Sequence, residues 1–159
     1  MNNQSARGFY NITETIKSEL LKTPNVKTVT VGDLADVDLS KQTIFPLSHI
    51  VINNVTLSEQ TMDFNITILA CDIVNQSKEE TTDLFRGNNN VQDILNTQLL
   101  VVNTLIQKLR MGQLYTDQYQ LNGDPSAEPF YDRFENELAG FSATMNISIA
   151  NDINICINP

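Results

Sequence analysis

The chain has 159 residues, 41% of them apolar, which suits one domain with a real core and excludes global disorder. Ten Lys and Arg face 19 Asp and Glu, a formal net charge of -9, so direct binding to duplex DNA is disfavoured. The polar stretch Met1 to Arg7 does not read as a secretory signal, and no apolar run approaches the length of a membrane span.

Residues 9 to 22 predict a helix. Phe9, Ile12, Ile16, Leu20 and Leu21 fall on one stripe at helical spacing, with Glu14, Lys17, Glu19 and Lys22 facing away. Pro24-Asn25 ends it, because proline disfavours helical geometry at the residue before it. The β-branched run Val26 to Val31 reads as a short strand, broken by Gly32-Asp33. Residues 32 to 43 read as an exposed acidic loop. A second strand follows over His49 to Leu57. Met62, Phe64, Ile66, Ile68 and Ala70 then alternate with polar residues, the clearest period-two pattern in the chain. Only a few polar residues around Ser58-Glu59-Gln60 separate these two strands, so they form an antiparallel hairpin.

Residues 75 to 90 read as a long exposed loop with one helical turn near Thr82 to Phe85. The strongest helix comes next. Val91, Ile94, Leu95, Leu99, Val102, Leu105, Ile106 and Leu109 give a broad apolar stripe between an Asn90 N-cap and a Gly112 C-cap. Lys108 and Arg110 in its last turn complement the helix dipole. Leu114 to Leu121 reads as a weak strand, Asn122 to Ser126 as a turn or exposed loop, and Pro129 to Gly140 as a mixed aromatic and acidic stretch. Phe141, Ala143, Met145, Ile147 and Ile149 mark a clean final strand, and Ile153, Ile155 and Ile157 keep a trace of alternation in the tail. The expected fold is a single α+β domain over residues 1 to 159. It has a mainly antiparallel sheet, two helices packed on one face, long loops and extended termini.

The chemistry-bearing residues are sparse. His49 has no metal-spaced or triad partner and reads as a structural or surface histidine. Cys71 and Cys156 lie in apolar alternation and read as buried free thiols. Asp33, Asp36 and Asp38 lack the glycine and terminal bidentate Glu of an EF-hand loop. Asp124, Glu128, Asp132, Glu135 and Glu137 offer paired carboxylates for glycoside cleavage, but the chain has no tryptophan to form a sugar platform. Both clusters read as solvated faces. No catalytic residue, cofactor or metal is assigned.

The segment Glu128 to Phe141, which holds Leu138-Ala139-Gly140-Phe141, runs into the final strand and closes on Cys156-Ile157-Asn158-Pro159. This resembles the C-terminal region of tail-terminator and related minor tail proteins of tailed bacteriophages. The opening of the long helix, Asp93-Ile94-Leu95-Asn96-Thr97 after a polar loop, is similar to the same family. The order helix, strand, hairpin, long helix, strand also resembles the tail-terminator fold. The resemblance implies a virion structural protein, not an enzyme. It would form a hexameric or dodecameric ring at the head–tail junction or tail end, beside portal, connector or tail proteins. Genomic DNA would pass through the lumen without specific binding, and no membrane would be involved. Assembly would take place in the host cytoplasm. The segments expected to lie on neighbouring subunits are residues 32 to 46, 75 to 90, 122 to 140 and both termini. Phe130, Tyr131 and Phe134 are candidate interface anchors, with packing on their own domain as the alternative. A tail-tube or adaptor subunit is the nearest rival reading, and a small acidic carboxylate-based hydrolase a more distant one.

Overall fold

A computed structural model describes residues 7–34, 42–75, 83–85, 87–111, 119–133 and 137–152. Helix α1 spans Gly8–Leu21, and strand β1 spans Thr28–Val31. Strands β2 (Leu47–Leu57) and β3 (Thr61–Ile73) follow, then helix α2 (Val91–Met111) and strands β4 (Gln120–Arg133) and β5 (Leu138–Ala150). The strands form one five-stranded sheet in the order β1-β2-β3-β5-β4, antiparallel throughout except for the parallel β1–β2 edge. This is the α+β class expected from the sequence.

Alternation in β3 and β5 sets which face is buried. Phe64, Ile66, Ile68 and Ala70 share one face of β3, and their partners across the ladder are Ile147, Met145, Ala143 and Phe141. Both helices lie on that face. Ile12, Ile16 and Leu20 of α1 and Val101, Val102, Leu105 and Leu109 of α2 join these strand residues in one core cluster. Burial of each such side chain is worth about 1.5–3 kcal/mol, so this cluster dominates stability. Glu19 ties the two helices together through Lys22 on its own helix (2.8 Å) and Lys108 on α2 (3.0 Å). Burial raises its pKa, but the hydrogen bonds and charges of the two lysines outweigh that, and the net direction is down.

Four expectations need correction. The buried stripe of α1 is Gly8, Ile12, Ile16 and Leu20, while Phe9 and Leu21 are exposed. Glu19 does not face away: its side chain is 12% exposed, between the two helices. In α2 the inward positions include Gln98 and Val101, and Leu99 points outward. The largest difference is β4, which runs straight through the stretch read as a turn and an acidic loop. Asn122-Gly123-Asp124-Pro125-Ser126 is a register break inside the strand. β4 is an edge strand, where a proline's missing N–H costs no ladder bond and an irregular stretch is tolerated. Gly123 has a positive φ of 70°, as such a break requires.

At the start of α2, Asn89 Oδ1 accepts the Val91 N–H, whereas Asn90 Oδ1 accepts the Asn75 N–H (2.7 Å). Asn90 holds the N-cap position, its carbonyl accepting the Ile94 N–H (3.0 Å), while its side chain clamps the chain to the end of β3. Gly112, the residues of the weak strand expected before Tyr119, and Cys156 lie outside the described residues. Among the described residues, no helix is long and apolar enough to cross a membrane.

Candidate functional site

The helices cover one face of the sheet, and the other face divides into two halves. One half is a small second core. Phe45, Leu47, Cys71, Phe130 and Leu138 pack together there, with Ile44, Leu69 and Ile73 against them. Phe130 lies opposite Gly140 on β5, where a side chain would have no room: a Cβ on Gly140 would run into the Ala70 carbonyl oxygen. The aromatic ring sits beside the strand position that lacks a side chain. Burial pushes the Cys71 thiol up to about 12, with Asp72 adding to the shift, so the thiol is neutral and inert.

The other half is an open polar surface. Asn53 follows Leu47, His49 and Val51 onto this face, at a bulge that puts Asn54 opposite Asn65, and its side-chain amide donates to Asn65 Oδ1 and Thr67 Oγ1, both at 2.8 Å. Asn65 donates in turn to Asn146 Oδ1 (2.8 Å), and Thr67 pairs with Thr144 (3.0 Å). At the far end Asn122 donates to Ser148, which donates to Asp63. The ladder crosses β2, β3, β5 and β4. It holds one carboxylate and no cation among its members.

Along the β1 edge, β1 stops at Val31 while β2 continues to Leu57. His49 braces this corner. Its buried ring donates from Nε2 to the Gly32 carbonyl (2.8 Å) and accepts at Nδ1 from the Thr30 hydroxyl (2.6 Å), which fixes the neutral tautomer. Burial lowers its pKa, opposed by the Gly32 carbonyl and the nearby Asp33. Beyond the corner lies an open groove of about 570 Å³ lined by Phe9, Val31, Gly32, Asp33, Leu34, Val51, Ile52 and Leu69. Among the described residues of that lining, Asp33 is the one ionisable side chain.

The three expected interface aromatics part company. Phe130 is buried and packs on its own domain, Tyr131 is exposed, and Phe134 lies outside the described residues. Of the acidic clusters, Asp33 lines the groove and Asp124 pairs with Arg110 (2.8 Å). Glu128 sits on β4 opposite Ser142, and Glu137, with a positive φ of 46°, immediately precedes β5. Asp36, Asp38 and Glu135 and the side chain of Asp132 lie outside the described residues. Among the described residues, no group of three or more His, Cys, Asp or Glu side chains is placed to hold a metal ion.

Sequence reasoning missed the most exposed apolar pair. Leu84 is 90% exposed and Phe85 is 83% exposed. A local turn holds them: Asp83 Oδ1 accepts the Phe85 N–H (3.0 Å), the Gly87 N–H reaches the Asp83 carbonyl (2.8 Å), and Gln92 of α2 donates to the Phe85 carbonyl (3.2 Å). The available signal was an Asp-Leu-Phe step inside an otherwise polar loop. The chain matches no protein-family model and no curated protein.

Proposed function

We propose that this protein is a structural subunit of a tailed-phage virion, forming a ring at the head–tail junction or tail end through which the genome passes. One observation carries the reading: the helices cover one face of the sheet, and the half of the other face outside the second core is an open ladder of Asn, Thr and Ser side chains, where the charges among the described residues, Asp63 in the ladder and Glu128 on β4, are both acidic. A wall of that kind suits a channel for a polyanion. Its hydrogen-bonding groups satisfy one another, and among the described residues of the ladder there is no cation to hold a phosphate. The net charge of -9 adds a repulsive background. The order of elements, with two helices on one face of a mainly antiparallel sheet, supports the same reading by its resemblance to the tail-terminator layout.

The test is the assembly state. Native mass measurement and negative-stain images of the purified protein, alone and with a connector ring, should show closed rings. Sixfold symmetry favours a terminator, and twelvefold symmetry a connector ring. A protein that stays monomeric under both conditions and is missing from purified virions refutes the proposal.

A further inference from the structure

The fold leaves two apolar features unfilled, and they complement each other. One is convex. Leu84 and Phe85 stand in water on a hydrogen-bonded turn that Gln92 pins to α2. The other is concave. The groove beside the end of β1 is walled by Phe9, Val31, Leu34, Val51, Ile52 and Leu69, and its volume is about 570 Å³. That exceeds the space a leucyl and a phenylalanyl side chain occupy together and falls within the usual range for a binding cleft, about 300–1,000 Å³.

The two features lie on different parts of the molecule. The groove sits on the β1–β2 edge beside the start of α1. The turn is fastened to the start of α2, whose Ile94 packs with Ala139 of β5, on the far side of β3. A surface knob that matches a pocket elsewhere on the same molecule makes a heterologous contact, which closes into a ring or propagates as a filament. In a chain of net charge -9, copies repel in bulk, so their contacts must fall where the surface is apolar or oppositely charged.

We infer that Leu84 and Phe85 of one copy insert into the Phe9–Val31–Val51–Leu69 groove of a second copy, and that this is the head-to-tail contact of the assembly. The inference rests on the ring reading and supplies its joint. The occupant is another copy of this chain, not a small ligand, because the groove is a wide open cleft whose described lining is almost wholly apolar and the matching apolar pair is on the same sequence.

A complementation experiment tests it. Leu84→Ser/Phe85→Ser removes the knob and leaves the groove. Val31→Arg obstructs the groove and leaves the knob. All three positions are exposed in the single chain, so folding should be kept, and circular dichroism checks that it is. Each variant alone should sediment as a monomer at concentrations where the wild type forms rings. An equimolar mixture has one working knob and one working groove per pair, so it should give a dimer and nothing larger. Rings formed by either variant as readily as by the wild type overturn this contact and leave the ring reading standing. Two folded variants that stay monomeric when mixed also overturn it. A wild type that is monomeric with and without a connector ring, and is missing from purified virions, overturns both.

Discussion

Gly140→Ala should be the most damaging small substitution in the described structure. The added Cβ would sit inside the van der Waals envelope of the Ala70 carbonyl oxygen. It would lie 2.8 Å from both the Ala70 carbonyl carbon and the Cys71 Cα. All three obstacles are backbone, so no rotamer change relieves the clash, and β5 would have to part from β3. That ladder runs unbroken from Thr61↔Ala150 to Ile73↔Leu138 and forms the centre of the sheet. Overpacking usually costs about 1–3 kcal/mol where side chains can yield. Against fixed backbone we expect about 4 kcal/mol, in the range reserved for severe lesions. Urea unfolding followed by circular dichroism reads the loss. With a slope of about 1–3 kcal/mol per molar, the midpoint should fall by more than about 1 M. Gly123→Ala is the control. Gly123 has a positive φ of 70° and nothing within 4 Å, so it should cost only about 1 kcal/mol of backbone strain. A Gly140→Ala midpoint within about 0.5 M of wild type, or a Gly123→Ala loss larger than that of Gly140→Ala, would refute the steric argument.

Phe130→Ala should lose about 3–5 kcal/mol by emptying the second core, and it should leave ring formation intact at temperatures where the variant is folded. A variant of normal stability with impaired assembly would return Phe130 to an interface role. His49 should make the fold acid-sensitive. Its folded pKa lies below the ordinary 6.5, so its contribution is fully present above pH 6.5 and is lost as pH falls below 6.5 toward the folded value. Urea midpoints at several pH values down to about 5.5 should decline more steeply for wild type than for His49→Gln, and parallel curves would exclude the histidine as the cause. Gln98→Met should stabilise the protein by about 1–2 kcal/mol, because the side chain is buried and neither of its polar atoms has a partner among the described residues. A fall in the thermal midpoint would show that the amide has a partner after all.

The elements with clean periodicity were legible. The alternation in β3 and β5 and the long stripe of α2 each announce one buried face, and burial is what those patterns encode. The failures have separate physical causes. β4 was hidden because Gly123, Asp124 and Pro125 are turn residues by local preference, and only an edge position makes them acceptable in a strand. Gln98 was hidden because an amide does not read as core, and the apolar pattern points to Leu95 and Leu99 instead. Phe130 was ambiguous because an aromatic can fill either a core or an interface, and its burial depends on the absence of a side chain at Gly140 across the sheet. The Asn53–Asn65–Asn146 ladder needs the β2–β3–β5 order and register, which are long-range facts. The Leu-Ala-Gly-Phe step at 138 to 141 was read as a mark of resemblance. In the structure its glycine has a mechanical reason, the close approach of β5 to the backbone of β3.

The placement of charge bears on the proposed assembly. Residues 47 to 58 of β2 and its turn, 94 to 107 of α2 and 138 to 151 of β5 contain no Asp, Glu, Lys or Arg. Burial explains this for the inward positions but not for the outward ones. Asn53, Thr144 and Asn146 on the open sheet face, and Asn96, Leu99, Leu100 and Asn103 on the outer side of α2, are all exposed and all uncharged. A domain that functions as a monomer gains solubility from charge on such surfaces, and this chain has 19 acidic residues to place there. The surfaces left neutral are those where a second acidic copy, or a passing polyanion, can come close without a fixed charge to repel or hold it. A single Asn146→Lys substitution would put a cation at the centre of the open ladder, 2.8 Å chemistry now satisfied by Asn65. If that face lines the channel, the variant should form rings normally but retain added duplex DNA in a salt-dependent way, whereas rings of wild type should not.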